Sequence, residues 1–581
     1  MRHLAFDLET WQADEIFRQP DFVRLGAYGT AKWHRMSTDG NVIVDALHKG
    51  IADGRVLTGH NICDFDLVAL ARWHGLKLPE LRDHIADTYL LALINDPPLS
   101  GVEGRSMMPR GYYGLNETCE HYGMPGKTDS AKRLAKQWGG FEKIPTDDPE
   151  FRHYLAGDIS ASSRLIQAMP PMTDYAKRDM NVGLIMSQMR LNGFRVDVEE
   201  LHHALADQVI RKTGHIAELA EITGMPTGRT VGVRNPRYEE FASPLATDVG
   251  KQAIIKAFFI EGIKEGALPT TPGTGKLATG REPMLELKEK IIKYGGNPKL
   301  ERMIDLIISV VGERTVYDTI NSTRVDDRVH PSIKPSQASG RWSITGPGLT
   351  VLGKRGGRHV ERRVLLPEIG HSNMSVDLRQ VDARAVAAHS QDRNYMRIFQ
   401  EGRDLHTANA ITAFGDGSRR EDAKPVGHGW NYGLSIRRMI EMGLTELAAC
   451  AFDENMRANH PGVIRWQNNV RQIARDGGLL DNGWGRMMRP DPRFAYTQAP
   501  ALVGQGCTRD ILAEGLLRLP VEIWPMLRVV VHDEIVMSVP TESYHDVAEV
   551  VREALSFDFR GVPIECDVSK PGSTWAAVYD K

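Results

Sequence analysis

Residues 371–390 read HSNMSVDLRQVDARAVAAHS: a short apolar run ends on Asp377, and a segment of helical period follows almost at once. Asp377 is therefore expected at the end of a strand, at the entry to a helix. A second carboxylate, Asp533, lies in residues 528–540, RVVVHDEIVMSVP. Strand-like flanks there enclose Val531-His532-Asp533-Glu534 and predict a hairpin with Asp533 at its tip. Either aspartate alone reads as an ordinary turn residue. A strand end and a hairpin tip can, however, converge on one sheet edge, and a carboxylate pair held there suits two divalent ions and in-line phosphoryl transfer.

Between these carboxylates, Arg420, Lys424, His428 and Tyr432 recur every four residues, with Gly433 following. On a helix they form one broad cationic and aromatic face. Such a face can grip a triphosphate by charge-assisted hydrogen bonds and stack a base; its plain alternative is a solvated helical face with a core tyrosine. Pro425 lies inside this stretch, while Ser418-x-x-Glu421 resembles a capping box. The expectation is a kink near Pro425, or a helix that starts there with proline in its first turn.

Nearer the N-terminus, Asp7 and Glu9 stand two apart in the strand-like run HLAFDLET and so share a face. Parallel carboxylates repel unless a cation lies between them, which makes them candidate ligands of a hard divalent ion. An Asp-x-Glu triplet on its own is weak evidence. Tyr154 and Asp158, four apart in the amphipathic run FRHYLAGDISASSRLIQAM, stack on one helix face, and Asp66 opens another apolar helix. Together these groups could hold two ions that activate a water, with the Tyr154 phenol orienting it.

The composition fits an ordinary globular protein: 581 residues, 41% hydrophobic and 25% charged, too long for a single core. No stretch approaches the ~20 apolar residues of a membrane span, and acidic residues near the start argue against a secretion signal. Five scattered cysteines without a CxxC pair argue against a zinc site or disulfide framework and fit a reducing cytoplasm. A net charge of −3 does not itself point to nucleic acid, but Lys354, Arg355, Arg358, Arg362 and Arg363 cluster within ten residues. The first ~180 residues read as an α/β unit with Gly193 stopping a helix shortly after it, and residues 197–335 as largely helical. Mixed strands and helices follow.

The N-terminal segments resemble the three exonuclease motifs of the DEDD superfamily in its tyrosine-containing branch. That resemblance implies Asp7, Glu9, Asp66 and Asp158 as metal ligands, Tyr154 as the water-orienting residue, and 3′→5′ nuclease activity. The C-terminal segments resemble the family A DNA polymerases, the group of bacterial DNA polymerase I and its phage relatives. Asp377 to Arg384 is similar to motif A, Arg420-x-x-x-Lys424 with Tyr432-Gly433 to motif B, and Val531 to Glu534 to motif C. Ser339-Gly340-Arg341, Asp404-Leu405-His406, Gln505-Gly506 and Gly572-Ser573-Thr574-Trp575 also look familiar from this family, although the spacing before Gln505 departs from its pattern.

The resemblance implies a multidomain α/β and α+β chain: a ribonuclease H-like exonuclease domain at 1–180, then a right-hand polymerase. The thumb would be 181–335, the palm 336–400 and 481–581, and the fingers 401–480. Asp377 and Asp533 would hold two Mg²⁺ ions, as would the exonuclease carboxylates, with Mn²⁺ able to substitute. Lys424 would be catalytic as proton donor to pyrophosphate. Gln380, Asp382, His406, Arg420, Lys424, His428 and Tyr432 would meet the nucleotide, and Arg341, Arg384, Gln505, His532 and the basic run 354–363 the DNA. The implied partners are primer-template DNA and dNTPs, with a processivity factor as a further candidate and no membrane. The implied setting is the cytoplasm, that of a host cell if the chain is phage-encoded.

Three positions depart from the family, Pro425 within the expected fingers helix being one. Asp382 stands where Glu usually blocks the ribose 2′-OH, so sugar discrimination is expected to weaken unless a neighbour fills the gap. His428 replaces an aromatic residue that influences dideoxynucleotide acceptance, so intermediate acceptance is expected. A nuclease with a degenerate polymerase half is the alternative, and the Asp377/Asp533 pair and Lys424 weigh against it. A single-subunit RNA polymerase fits less well, given the exonuclease motifs and motif B.

Overall fold

The computed structural model describes residues 2–101, 106–126, 131–225, 227–231, 237–240, 242–264, 266–271, 274–312, 316–353 and 358–580. They fall into two compact units, Met1–Val196 with Thr323–Lys581, and Asp197–Ser322.

The larger unit begins with a five-stranded sheet. Its central strand β1 (Arg2–Thr10) pairs antiparallel with β2 (Val23–Thr30) and parallel with β4 (Arg55–Gly59). Strands β3 (Trp33–Ser37) and β5 (Ile85–Asp87) form the edges. Leu4, Ala5, Phe6 and Leu8 of β1 are all buried, because helices cover a sheet that must bury both faces. Helix α1 (Gly40–Ala52) crosses from β3 to β4, and α2 (Asp66–His74) follows β4. Helix α3 (Pro149–Ala168) has Pro149 in its first turn and is capped by Asp148, which accepts from the Glu150 and Phe151 amides. Phe151, Leu155 and Ile159, at helical spacing, form a core with Ala5, Leu25 and Ala27 of the sheet. Helix α4 (Asp174–Asn192) is capped by Thr173 and stops, as expected, at Gly193, whose φ of 64° favours glycine.

The second unit is helical. The segments Val198–Thr223, Asp248–Ile260, Arg281–Lys293 and Pro298–Gly312 enclose Leu219, Ile254, Phe258, Met284, Met303 and Ile304. It runs from Asp197 to Ser322. The strands Arg328–Val329 and Ser332–Lys334 that follow pair with segments of the larger unit.

The C-terminal part of the larger unit is built on a four-stranded antiparallel sheet. Strand β6 (His371–Leu378) lies between β8 (Glu534–Pro540) and β9 (Cys566–Val568), and β7 (Leu527–Val531) pairs with β8 as the expected hairpin. Helix α5 (Val381–Ser390) follows β6 through Gln380, held at φ 49°. Three more helices matter for the site: α6 (Leu405–Phe414), α7 (Arg420–Asn431) and α8 (Ala495–Arg518). The last is buried nearly all round, which is why it shows no amphipathic stripe.

Helix α7 runs from Arg420 to Asn431 with Pro425 inside it, so the helix does not begin at the proline. Ser418 makes no capping box. Asp416 caps the preceding turn instead, accepting from the Ser418 amide at 2.8 Å and its hydroxyl at 2.7 Å. The proline lies one turn in, where only one intrahelical donor is removed.

Candidate active sites

The β6–β8 register opposes Asp377 to Glu534, and the Leu378 amide donates to the Asp533 carbonyl at 3.2 Å. Asp377 and Asp533 therefore meet at one end of the sheet, both half-buried, with His532 exposed at the tip (φ 59°). Glu534, the first residue of β8 and the cross-strand partner of Asp377, is 1% exposed. Ser375 Oγ donates to it at 2.7 Å, Trp575 Nε1 at 3.3 Å, the Tyr579 hydroxyl also donates, and Arg362 pairs with it at 3.3 Å.

Arg362 is also buried, its guanidinium 4.1 Å from the Trp575 ring centroid and 5.0 Å from that of Tyr579. The expectation that the whole basic run holds DNA is corrected at this residue, whose charge is neutralised inside the fold. Lys354, Arg355 and the Arg358 side chain lie outside the described residues. Arg384 is corrected in the same way. It is 4% exposed, donates to the Arg379 carbonyl at 2.8 Å and to that of Pro563, and pairs with Glu565 at 2.5 Å. Its side chain ties α5 to the sheet and has no surface left for a phosphate.

Asp382, on the first turn of α5, accepts from the Tyr432 hydroxyl and the Thr508 hydroxyl, both at 3.1 Å, and Arg341 approaches at 3.5 Å. The phenol of Tyr432 is held far above its ordinary pKa by burial and by this carboxylate. Gly504 on α8 makes room for the ring: a Cβ there would sit 2.5 Å from it. His428 crosses Tyr432 edge-on at 5.4 Å.

Asp404 caps α6, accepting from Thr407 at 2.8 Å, and pairs with Arg420 at 3.0 Å. Arg420 also meets Glu421 at 2.6 Å. His406, in the first turn of α6, is held below its ordinary pKa by burial and by the positive charges of Arg420 and Lys424. Arg420, Lys424 and His406 thus gather in one region, with Lys424 exposed. Gln505 lies half-buried on α8 and Gln380 half-buried at the start of α5.

At the N-terminal sheet, Asp7, Glu9 and Asp158 each offer an oxygen within 4.8 Å of the others. Tyr154 is buried one turn before Asp158 on α3. Asp66 lies outside that trio, buried, with its Oδ1 accepting from the Leu8 amide at 3.1 Å. Burial pushes its pKa up to about 8 against the pull of that amide, and the charges of Asp87 and Asp158 push in the same direction. An all-oxygen donor set of close carboxylates fits a hard divalent cation such as Mg²⁺.

Sequence reasoning assigned no role to Glu534, Thr508 or Tyr579. The partners of Glu534 lie 159 to 172 residues earlier or some 41 to 45 later, with no local pattern to name them.

The strand-end and hairpin-tip carboxylates thus meet at one end of the sheet, and the chain's likeness to known proteins says which class it falls in. A family-wide sequence profile described as DNA polymerase family A matches residues 274–577, and the chain belongs to that family. It is 27% identical over 609 residues to the DNA polymerase of Mycobacterium phage D29, covering 99% of this chain and 93% of that one. It is also 27% identical over 546 residues to the thermostable DNA polymerase I of Thermus aquaticus, covering 88% of this chain and 57% of the relative. Among solved structures, the POL domain of Pol1 from M. smegmatis, in complex with DNA primer-template and dNTP, superposes with a TM-score of 0.72 at 18% identity. That match covers 99% of this chain and 96% of the other.

Proposed function

We propose that this DNA polymerase extends a primer 3′-OH on a DNA template by two-metal catalysis and removes misincorporated nucleotides with its own 3′→5′ exonuclease. The observation that carries the polymerase half is the register that brings Asp377 and Asp533 to one sheet end. Asp377 and Asp533 would hold two Mg²⁺ ions, which when bound lower the pKa of the primer hydroxyl and neutralise the leaving pyrophosphate. Arg420 and His406 orient the triphosphate, and Lys424 donates a proton to pyrophosphate. Binding of the triphosphate would draw Arg420 from Asp404 and Glu421, a local change suited to fingers closure. Tyr432 and His428 face the nascent base pair, while Arg341, Gln505 and His532 hold the duplex.

The close oxygens of Asp7, Glu9 and Asp158 support the exonuclease half, with Asp66 joining once a cation relieves the crowding. Tyr154 would orient the attacking water. Homology to phage polymerases supports a role in phage DNA replication.

Gel analysis of a 5′-labelled primer on a defined template tests both halves. The wild-type chain with Mg²⁺ extends the primer with dNTPs and shortens it without them. Asp377→Ala should lose extension and keep degradation, and Asp7→Ala should do the reverse. Degradation without extension by the wild-type chain would instead identify a nuclease with a degenerate polymerase half.

A further inference from the structure

Away from both carboxylate centres, a cavity of about 310 Å³ opens between the sheet and the end of α1, lined by Leu4, Tyr28, Trp33, Arg35, Lys49 and Arg55, with Ala46, Gly50 and Asp53 completing it. Leu4 precedes Asp7 by three residues on β1, so the cavity is about 10 Å back along the strand from the nuclease carboxylates. Trp33 is 42% exposed, and Tyr28 meets it edge-on at 6.3 Å.

The charges around this cavity are not balanced within the protein. Arg35, Lys49 and Arg55 make no ion pair with a carboxylate among the described residues, and Asp53 is the one acidic group in the lining. The register also sets Arg2 of β1 beside Arg55 of β4. Like charges on neighbouring strands oppose pairing. The end of α1 steadies Lys49 through its dipole, but the arginines come from strands and gain nothing from it.

An anion offsets such a cluster, and an exposed indole among cations adds a stacking surface that a carboxylate-bearing peptide would not need. The volume matches the lower range of small-ligand pockets, enough for one nucleotide. We propose that this cavity is a second nucleic-acid site, taking one nucleotide of single-stranded DNA with its base on Trp33 and the adjoining phosphates on Arg35, Lys49 and Arg55.

The test uses the full chain in EDTA, so that no strand is cleaved, with excess unlabelled primer-template hairpin present. Fluorescein-labelled dT20 is titrated by anisotropy over a range of salt. The double variant Arg35→Gln/Arg55→Gln should weaken binding at least tenfold at 0.1 M salt. It should also make the log–log salt slope shallower by about 1.4, at roughly 0.7 for each phosphate that is no longer neutralised. Trp33→Ala should weaken binding about tenfold with the slope unchanged. Primer extension on the hairpin should be the same in all variants. Ultraviolet crosslinking of 5-bromodeoxyuridine-substituted dT20 to the wild-type chain should label the peptide carrying Trp33. Unchanged affinity and slope in both variants would overturn the proposal. So would displacement of dT20 by poly-glutamate without a Trp33 adduct, which would point to an acidic protein segment.

Discussion

The carboxylate of Asp382 is approached from three directions, by Tyr432, Thr508 and Arg341. A shorter acid at the proposed sugar-facing position is thereby held by the Tyr432 and Thr508 hydroxyls and by Arg341. That Asp382 and Tyr432 belong to one site was legible, since both residues lie in recognisable motifs. Thr508 was not, because it stands 126 residues away and a threonine on a buried helix carries no signal of its own. Lengthening the acid by Asp382→Glu is expected to raise the selectivity for dNTP over rNTP severalfold, read as the ratio of kcat/KM values. Equal ratios in wild type and variant would remove this carboxylate from sugar selection. Arg384 and Arg362 teach the opposite lesson at the same scale. Each is a cation within a motif-like stretch, and each is consumed by a buried acid or carbonyl that only the tertiary fold supplies.

Among the elements, the β7–β8 hairpin followed most directly from sequence, because apolar β-branched flanks around a polar tip leave little else to form. Helix α7 was harder. Local propensity set a proline against a helical stripe, and packing of Ala423, Val426 and Trp430 into the core decided in favour of the helix. What could not be read was how the hairpin is braced from behind. Glu534 gathers donors from β6, from residues near 360 and from residues 575–579, and removal of one should be felt at the tip. Tyr579→Phe takes a hydroxyl from a buried carboxylate, a loss of about 1–3 kcal/mol. The expected outcome is a lower melting temperature and a lower polymerase kcat, with dNTP KM and the rate of primer degradation unchanged. A fall in both activities together would mean general loosening instead.

At the scale of the larger unit, the sequence foretold a sheet-and-helix beginning and a palm-like end but not what locks them together. That joint is a buried ionic cluster between α4 and α8. Arg178 pairs with Asp510 at 2.9 Å, Arg509 with Asp179 at 2.5 Å and Asp510 at 2.6 Å, and Arg486 with Asp179 at 3.3 Å. Apart from the adjacent Arg509 and Asp510, the partners stand more than 300 residues apart, beyond any periodicity. Burial favours the protonated form of Asp510, yet Arg509, Arg178 and Arg486 outweigh it and bring the pKa down to about 2. A carboxylate whose pKa is depressed by folding contributes stability above the unfolded value near 3.9, and that contribution disappears as pH falls toward 2. Asp510→Asn leaves buried guanidinium charge uncompensated and is expected to cost about 3–5 kcal/mol at pH 7. The difference from wild type should shrink between pH 4 and pH 2, as measured by urea unfolding. A gap independent of pH would show that packing, not charge, makes the joint.

The brace behind Glu534 also has an order in time. A ribosome makes Arg362 long before the hairpin it neutralises, and Tyr579 comes 217 residues after Arg362. The hairpin with Asp533 at its tip can pair with β6 as soon as residue 540 emerges, but Glu534 then lacks the indole and phenol that complete its shell. The shell of Glu534 is thus finished only when residues 575–579 are made, so a nascent chain stalled before Trp575 would carry every proposed polymerase ligand without the indole and phenol that meet Glu534.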